Sequence, residues 1–305
     1  MPAACAGFLN VNKPLRMTSH DVVAKIRRHW RELGAPVKVG HAGTLDPLAD
    51  GVLVVCVGAA TRLSEYMMRG QKTYRATVRL GIATSTYDAA GEPTRCENAS
   101  QITCDEIRAA LPQFIGEIEQ LPPMHSAVKV GGRKLYELAR QGKTVERQAR
   151  AVTIQAIQLR AWNAPMLNLD ITCGSGTYIR SLAHDLGEAL GVGAHLASLT
   201  RIASGHFALA DSLDLNALLG RKDWSPQLIT PWSALRDYPR LELAADDVAR
   251  LRKGMFIARR GCLDAPLVFG FDARRHLVAI LQPRGERWKP RKVFPPAAAD
   301  DSAQS

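Results

Sequence analysis

Gly40-His-Ala-Gly-Thr-Leu-Asp-Pro-Leu-Ala-Asp-Gly-Val-Leu53 is the most informative stretch of this sequence. Between residues 38 and 51 the chain carries three glycines and one proline and shows no helical period, which predicts a loop. Asp46-Pro47 alone would indicate an ordinary turn. A loop that also holds a histidine, a threonine and a second aspartate indicates a functional segment instead.

Regular elements are predicted on both sides of this loop. The apolar run Val52–Val57 is either a buried strand or the core of a helix, because periodicity does not separate the two in so short a run. Residues 8–12 alternate like a strand, and Thr18 or Ser19 can cap the helix that follows. The pattern further predicts a strand at 73–80, a helix capped by Thr103, a strand at 167–173, a helix from 179 that Gly191 ends, and strands at 265–271 and 276–281.

The composition predicts a packed protein with an anionic partner. Of the 305 residues, 46% are hydrophobic and 23% charged, which excludes global disorder. The net charge of +11 and the pI of about 9.6 suit a polyanion such as nucleic acid. Residues 238–305 hold 13 Lys and Arg against 8 Asp and Glu, which indicates a charged accessory module.

Cysteine and histidine usage predicts neither disulfides nor a metal. The cysteines occur singly, without a C-x-x-C pair, at positions 5, 56, 96, 104, 173 and 262. Such scattered cysteines are typical of reduced cytosolic thiols. Four of the histidines outside the loop are spread over different elements without ligand spacing, namely His125, His184, His195 and His206. The start of the chain lacks a signal-peptide pattern and no apolar run reaches a membrane span, so we expect a cytoplasmic protein.

The chain divides by composition into a large and a small part. We predict a catalytic domain over 7–220, a linker over 220–237 because of Pro226 and Pro231, and a β-rich domain over 238–292. Residues 293–305 are rich in Ala, Pro, Asp and Ser, which predicts a disordered tail.

A basic insertion is predicted inside the large part, at about 124–150. It contains a short helix around Leu135–Arg140, which ends at Gly142. Its cations outnumber its two acids and include Arg133, Lys134, Arg140, Lys143, Arg147 and Arg150. This composition indicates a segment that faces RNA.

Several further motifs occur in a fixed order over residues 7–205. They are Gly7-Phe-Leu-Asn-Val-Asn-Lys-Pro14 with Thr18-Ser19, Lys72-Thr-Tyr-Arg-Ala76 with Thr84-Ser-Thr-Tyr-Asp-Ala-Ala-Gly-Glu92, Pro122-Pro-Met-His-Ser-Ala-Val-Lys129, and Gly176-Thr-Tyr-Ile-Arg180 with Leu186-Gly187 and Gly193-Ala-His-Leu196. Together with the 40–53 segment, they resemble the motifs of the TruB family of pseudouridine synthases. Leu15-Arg16 differs from the small or glycine-like residues expected after Lys13-Pro14.

The resemblance implies an α/β (α+β) pseudouridine synthase fold, with a mixed, largely antiparallel sheet flanked by helices and a cleft across it. The C-terminal part is similar to the small β-rich PUA-type RNA-binding domain. The implied activity is the isomerisation of uridine to pseudouridine at position 55, in the T-arm loop of tRNA, after the base is flipped out. No cofactor, metal, membrane, guide RNA or obligate protein partner is expected.

The chemistry of this reaction requires one carboxylate. Pseudouridine forms when the N1–C1′ bond breaks, the uracil turns and C5 is joined to C1′, with no redox change or net hydrolysis. The carboxylate acts either as a nucleophile at the sugar or uracil or as a base on the sugar. The resemblance places Asp46 in this role and Arg180 against it, where a guanidinium would orient the carboxylate and hold its pKa down. By position alone, Arg180 is a solvated helix-start residue.

The other residues of the implied site each have a plainer interpretation. By pattern, Tyr74 is a core tyrosine, whereas the resemblance places its ring on the flipped uracil and lets its hydroxyl receive the C5 proton. His41 is either an ordinary loop histidine or a contact near the vacated nucleotide position. The resemblance adds a polar contact to the uracil from Asp88, a second aromatic ring from Tyr178, an apolar wall from Leu199 and support of the loop or backbone by Lys13.

Two other functions compete with this interpretation. A tRNA-binding or tRNA-folding protein without chemistry would not need the set of Asp46, Tyr74 and Arg180. A guide-RNA-dependent relative would share the aspartate loop, but the basic insertion and the lack of a long Lys-rich tail favour a stand-alone enzyme. Trp288 lies among arginines and lysines, so it belongs either to a solvated basic tail or to an RNA-stacking surface.

Overall fold

The computed structural model describes residues 6–124, 126, 129–130, 132–135, 141, 145–260 and 263–296. The strands are β1 (Gly7–Lys13), β2 (Val39–His41), β3 (Ala49–Val57), β4 (Lys72–Leu80), β5 (Ile82–Thr84), β6 (Pro93–Cys96), β7 (Gly116–Gln120), β8 (Lys129–Val130), β9 (Arg133–Lys134), β10 (Arg150–Asn163), β11 (Met166–Cys173), β12 (Ala194–Ser204), β13 (Phe207–Ala208), β14 (Leu213–Asp214), β15 (Arg240–Glu242), β16 (Ile257–Ala258), β17 (Val268–Phe271), β18 (Leu277–Arg284) and β19 (Arg287–Val293).

Helices connect and cover these strands. The α-helices are α1 (Ser19–Glu32), α2 (Ser64–Arg69), α3 (Cys104–Ala110), α4 (Ile179–Ala189), α5 (Leu215–Leu219), α6 (Pro231–Ala234) and α7 (Ala245–Arg252). The 3-10 helices are Gly58–Leu63, Leu111–Phe114, Leu209–Asp211 and Ser225–Gln227. No helix among the described residues is both long and apolar enough to cross a membrane.

Ten strands form the large sheet, in the order β14-β1-β3-β12-β4-β11-β10-β7, with β2 beside β3 and β13 beside β12. Its pairs are antiparallel except for β1 with β14 and β3 with β12. A second sheet follows near the C-terminus, in the order β15-β17-β18-β19-β16. The prediction of a mixed, largely antiparallel sheet with helices and a β-rich C-terminal part is therefore confirmed.

Local sequence signals explain where the predicted elements begin. At α1 the hydroxyl of Thr18 accepts a hydrogen bond from the Asp21 backbone N–H at 3.0 Å, and the Asp21 carboxylate accepts one from the Thr18 N–H at 2.8 Å. Thr103 and Glu106 form the same reciprocal cap on α3. Because two of the free N–H groups of each helix are satisfied in this way, the helix start is fixed by the sequence.

The run Val52–Val57 is a strand, and both of its faces are buried. Val52, Val54 and Cys56 share an apolar cluster with Phe269 and other residues of the C-terminal sheet. The alternate residues of β3 pack against α1 on the opposite side. A strand that is covered on both faces is apolar at every position. The hydrophobic pattern of Val52–Val57 therefore could not distinguish a strand from a helix.

Two predictions about connecting segments are wrong in detail. The predicted loop 38–51 is a loop only in its middle, since its ends belong to β2 and β3. The predicted linker 220–237 is packed: Ile229 and Phe8 exchange two backbone hydrogen bonds of 2.8 Å, and Trp224 and Leu235 are fully buried. Pro231 is compatible with this packing because it occupies the first turn of α6.

Near the C-terminus, Trp288 belongs neither to a solvated tail nor to an exposed stacking surface. Its side chain is fully buried in the core of the C-terminal sheet, with Val268 and Leu281. The predicted disordered tail also begins too early, because Phe294 is buried and its N–H donates to the Val278 carbonyl at 2.8 Å. The remaining tail, 297–305, lies outside the described residues, as do the predicted helix at 136–140 and the side chains of Arg133 and Lys134.

Candidate active site

The loop that carries Asp46 joins β2 to β3 and is clamped by the chain around the start of α1. The hydroxyl of Ser19 accepts a hydrogen bond from the Leu45 N–H at 2.8 Å and donates to the Leu45 carbonyl at 3.1 Å. The backbone N–H of Arg16 donates to the Pro47 carbonyl at 2.7 Å. The residues on both sides of Asp46 are therefore fixed by the β1–α1 connection.

Arg201 holds the same loop from β12. It is 1% exposed, and its guanidinium donates to the carbonyls of Val52 at 2.7 Å, Gly43 at 3.0 Å and Thr44 at 3.5 Å. Gly51 lies so close that a Cβ there would be 2.3 Å from the Arg201 carbonyl oxygen, so no larger residue fits. Sequence analysis missed Arg201, because its partners are backbone groups far away in the chain.

Lys13 is a second buried cation at this site. Its side chain is fully buried, and its ammonium donates to the carbonyls of Pro14 at 2.8 Å and Met17 at 2.6 Å. Burial lowers the pKa of Lys13 to about 8, while the negative charges of Asp50 and Asp46 oppose that shift. Of the two expected roles of Lys13, support of the loop or of the backbone, these contacts favour the second, at the turn beside the Asp46 loop.

Arg180 joins two carboxylates. Its guanidinium lies 2.9 Å from the Asp46 carboxylate and 3.2 Å from that of Asp88. The side chains of Arg180 and Asp88 are 7% and 9% exposed, whereas that of Asp46 is 42% exposed. Asp46 is therefore the most accessible member of this group.

These charged residues line a small cleft. Its wall consists of Asp46, Leu48, Ala49, Asp88, Arg180, Leu196, Ala197, Ser198 and Leu199. Four residues that the sequence assigned to the site therefore line one cleft, namely Asp46, Asp88, Arg180 and Leu199. Leu199 contributes apolar surface to its wall. Apolar walls beside a few convergent polar groups are typical of ligand-binding clefts.

The pKa of Asp46 is raised, not lowered, relative to an ordinary aspartate. Desolvation by the surrounding protein has the largest effect and raises it, even though 42% of the side chain remains exposed. Arg180 opposes that shift, and the neighbouring charge of Asp88 raises the pKa further. As expected, the positive charge of Arg180 lowers the pKa of Asp46. The net shift is nevertheless upward, because the effects of desolvation and of Asp88 outweigh that of Arg180. A carboxylate with a raised pKa is a stronger base once it is ionised.

Asp88 is held firmly below the cleft. One of its carboxylate oxygens accepts hydrogen bonds from the Thr86 hydroxyl at 2.6 Å and the Ala90 N–H at 3.1 Å, and the other faces Arg180. The residue before it, Tyr87, has a positive φ of 65° and stacks on His184, with ring centroids 3.9 Å apart. Asp88 is thus fixed from both sides.

Arg180 reaches the carboxylates because of how α4 begins. Tyr178 precedes the helix and offers no side-chain cap, and Gln120 of β7 fixes its backbone. The Gln120 side chain accepts from the Tyr178 N–H at 2.7 Å and donates to its carbonyl at 3.0 Å. The phenol of Tyr178 is half-buried, and burial raises its pKa.

Tyr74 and His41 are not among the residues that line the cleft. Tyr74 on β4 is 9% exposed and shares an apolar cluster with Leu45 and Ala49, which flank Asp46. Burial raises the pKa of its phenol, and Arg201 opposes that shift. His41 lies on β2, where burial and then Arg201 lower its pKa.

A metal site is not found in the described part of the chain. No group of three or more His, Cys, Asp or Glu side chains among those residues is arranged to hold an ion. The acidic residues of the cleft are paired with Arg180 instead.

Three family models match successive parts of the chain. The TruB family pseudouridylate synthase N-terminal domain matches residues 31–179. The C-terminal domain of tRNA pseudouridylate synthase B matches 180–232, and the C-terminal domain of tRNA pseudouridine synthase II matches 238–295. The second match ends inside α6, and the third begins directly after the packed segment 220–237.

Individual relatives match over nearly the whole chain. A protein named tRNA pseudouridine synthase B from Dehalococcoides mccartyi (strain CBDB1) is 45% identical over 292 residues, which covers 94% of this chain and 96% of the relative. The protein of the same name from Symbiobacterium thermophilum is 49% identical, covering 83% and 84%. A solved structure of a Cbf5-Nop10-Gar1 complex superposes with a TM-score of 0.74 at 27% identity, covering 95% of this chain and 85% of that one.

Proposed function

The chain belongs to the TruB family of pseudouridylate synthases, and on that premise we propose that it converts a uridine of tRNA into pseudouridine. We further propose position 55, in the T-arm loop, as the target. The observation that carries the activity is the accessible Asp46 carboxylate held against the buried Arg180 at 2.9 Å, in the wall of a small cleft.

The proposed reaction begins with a uridine flipped into the cleft, because its reacting atoms are not accessible inside a stacked loop. Ionised Asp46 then acts on the nucleotide, either as a nucleophile at the sugar or uracil or as a base on the sugar. The N1–C1′ bond breaks, the uracil turns and a C5–C1′ bond forms. The C5 proton is then lost and N1 gains one, so atoms balance without a cofactor.

Arg180 orients the Asp46 carboxylate for this reaction and favours its ionised form. Its guanidinium is permanently charged and contacts both Asp46 and Asp88, so the cleft carries two carboxylates and one compensating cation. This pairing fixes the direction of the Asp46 carboxylate and opposes the rise of its pKa that burial causes. Preorganised charge of this kind lowers the barrier more than an equivalent group in water.

The remaining site residues are assigned by the same proposal. The Tyr74 ring stacks on the uracil and its hydroxyl receives the C5 proton, while Tyr178 supplies a second aromatic surface. Leu199 is an apolar wall, and Asp88 gives the uracil a polar contact through the site it shares with Arg180. His41 contacts the RNA near the vacated nucleotide position, and Lys13 supports the backbone of the turn beside the loop that carries Asp46.

A guide-RNA-dependent activity is the second candidate, because the neighbours in the structural comparison include a Cbf5-Nop10-Gar1 complex and an H/ACA RNP bound to a substrate RNA. Two findings favour a stand-alone enzyme. The relatives at 45–49% identity are named as tRNA enzymes and are matched over most of their length. The sequence also places a basic insertion at 124–150, which suits direct capture of the T arm.

The decisive experiment combines Asp46→Asn with an unmodified T-arm stem-loop and no guide RNA. Asparagine removes the charge and keeps the shape, so we expect binding within about threefold of wild type and no detectable pseudouridine. Asp170→Asn is a matched control, because Asp170 pairs with Arg75 and Arg160 outside the cleft. Turnover by Asp46→Asn within tenfold of wild type would refute the role of Asp46. Turnover by wild type only after guide RNA is added would favour the second candidate.

A further inference from the structure

The connection between β1 and α1 is a turn fixed on two sides. Inside the turn, the Lys13 ammonium donates to the carbonyls of Pro14 and Met17. Outside it, the Arg16 N–H donates to the carbonyl of Pro47, the residue that follows Asp46. The backbone of residues 14–17 therefore keeps a fixed position next to the reacting carboxylate.

Arg16 has an unfavourable backbone conformation in this turn. Its φ is +65°, a region that glycine enters freely and that other L-residues enter only at a conformational cost. Strain of this kind persists where the surroundings impose it, and it concentrates at functional sites. The Arg16 backbone N–H explains why the conformation is kept, but it does not explain an arginine, because glycine would donate the same hydrogen bond.

The side chains of Arg16 and Leu15 are available to contact another molecule. Arg16 is exposed, and within the described residues its guanidinium makes no hydrogen bond or ion pair. Its neighbour Leu15 is 51% exposed, which makes it one of the few large apolar side chains at the surface. A fixed backbone thus presents a cation and an apolar group beside Asp46.

We propose that Arg16 is a substrate-contacting residue that binds a backbone phosphate of the RNA next to the flipped nucleotide, with Leu15 as an apolar contact at its side. This inference rests on the proposed function, since it takes RNA as the substrate. A guanidinium suits phosphate through bidentate hydrogen bonds. Because the turn is already fixed, little ordering of the protein opposes binding.

The proposal predicts opposite effects of one substitution on stability and on binding. Arg16→Gly relieves the strain, so Tm should rise by about 1–4 °C. It also removes a phosphate contact. In the Asp46→Asn background, affinity for the T-arm stem-loop should therefore fall by roughly 3- to 10-fold. The log–log salt slope should become shallower by about 0.7–0.9. Arg16→Lys should keep most of that slope.

Arg275→Gly is the matched control, because Arg275 is also exposed and has a φ of +62°. It lies in the turn between β17 and β18 of the C-terminal sheet. We expect unchanged binding of the stem-loop from Arg275→Gly. Its gain in Tm should be smaller than that of Arg16→Gly, because the Arg275 guanidinium lies over the Trp232 ring, 5.1 Å from its centroid, and this contact is lost as well. A salt slope and affinity that Arg16→Gly leaves unchanged would overturn the proposal. If wild type binds the stem-loop but forms no pseudouridine, the proposed function fails, while the binding comparison still tests Arg16.

Discussion

The loop around Asp46 and the C-terminal sheet are both fixed in the structure, but by different kinds of contact. The loop is held by buried polar groups, since Arg201, Lys13 and Ser19 bond to its backbone or to the turn beside it. The C-terminal sheet is held by buried apolar rings such as Phe269 and Trp288. Directional hydrogen bonds specify an orientation, whereas apolar burial mainly contributes stability. The difference separates residues that set catalytic geometry from residues that keep the chain folded.

The largest effect is expected at Arg201. Arg201→Met keeps much of the side-chain volume but leaves the carbonyls of Val52 and Gly43 without their donor. We expect kcat to fall by at least about 100-fold, because small misplacements of reacting groups cost this much. The free energy of unfolding should fall by about 2–4 kcal/mol, since buried acceptors are left unsatisfied.

Stopped assays on the stem-loop and urea denaturation measure these two quantities at Arg201. Arg201→Lys retains the charge without the planar fork and should recover only part of the activity. If Arg201→Met retained kcat within tenfold, the loop would have to be oriented by its other contacts, and the contrast between the two regions would fail.

At Trp288 we expect a large loss of stability with little change in activity. Trp288→Ala removes a fully buried ring from the core of the C-terminal sheet, so the free energy of unfolding should fall by about 3–5 kcal/mol. At a temperature where the variant is folded, kcat on the stem-loop should stay within about twofold. Denaturation curves of Trp288→Ala are compared with those of Arg287→Ala, a substitution at the exposed neighbouring residue. Equal stability of the two variants would mean that the indole does not lie in the core.

The smallest effect is a shift in the pH dependence of activity. Asp46 acts when it is ionised, so kcat/KM should fall as the pH drops through its raised pKa. The negative charge of Asp88 raises this pKa and the positive charge of Arg180 lowers it. Asp88→Asn should therefore move the acidic limb to lower pH, and Arg180→Met should move it to higher pH. Shifts in the same direction in both variants would contradict this charge arrangement, and Trp288→Phe should shift nothing.

The sequence predicted those features whose causes are local. Thr18 and Thr103 cap helices through partners three residues away, and the alternation in β4 reports one buried face. Arg201 could not be found in this way, because nothing next to it in sequence shows which carbonyls it will meet. Trp288 was misplaced because its basic neighbours suggested solvent. Only the pairing of β19 with β18 and β16 places its side chain inside.

Most of the site was predicted from motif similarity and not from physical pattern. Asp46, Asp88, Arg180 and Leu199 come from four distant segments, and only the folded sheet places them around one cleft. Their residue types indicate acid–base chemistry, but no local rule predicts that they meet. The raised pKa of Asp46 likewise depends on the degree of burial, which a linear sequence does not contain.

The hydrogen bonds from Arg201 also constrain the order of folding. Arg201 is separated from Val52 by 149 positions and from Gly43 by 158 positions. Contacts this distant in sequence form after the loss of chain entropy that closes the intervening segment. On the ribosome, where synthesis proceeds from the N-terminus, the Asp46 loop leaves the exit tunnel long before Arg201 does. A nascent chain shorter than about 200 residues therefore contains the reacting carboxylate and the contacts from Ser19 and Arg16, but it lacks the hydrogen bonds from Arg201. We therefore expect activity to begin late in synthesis.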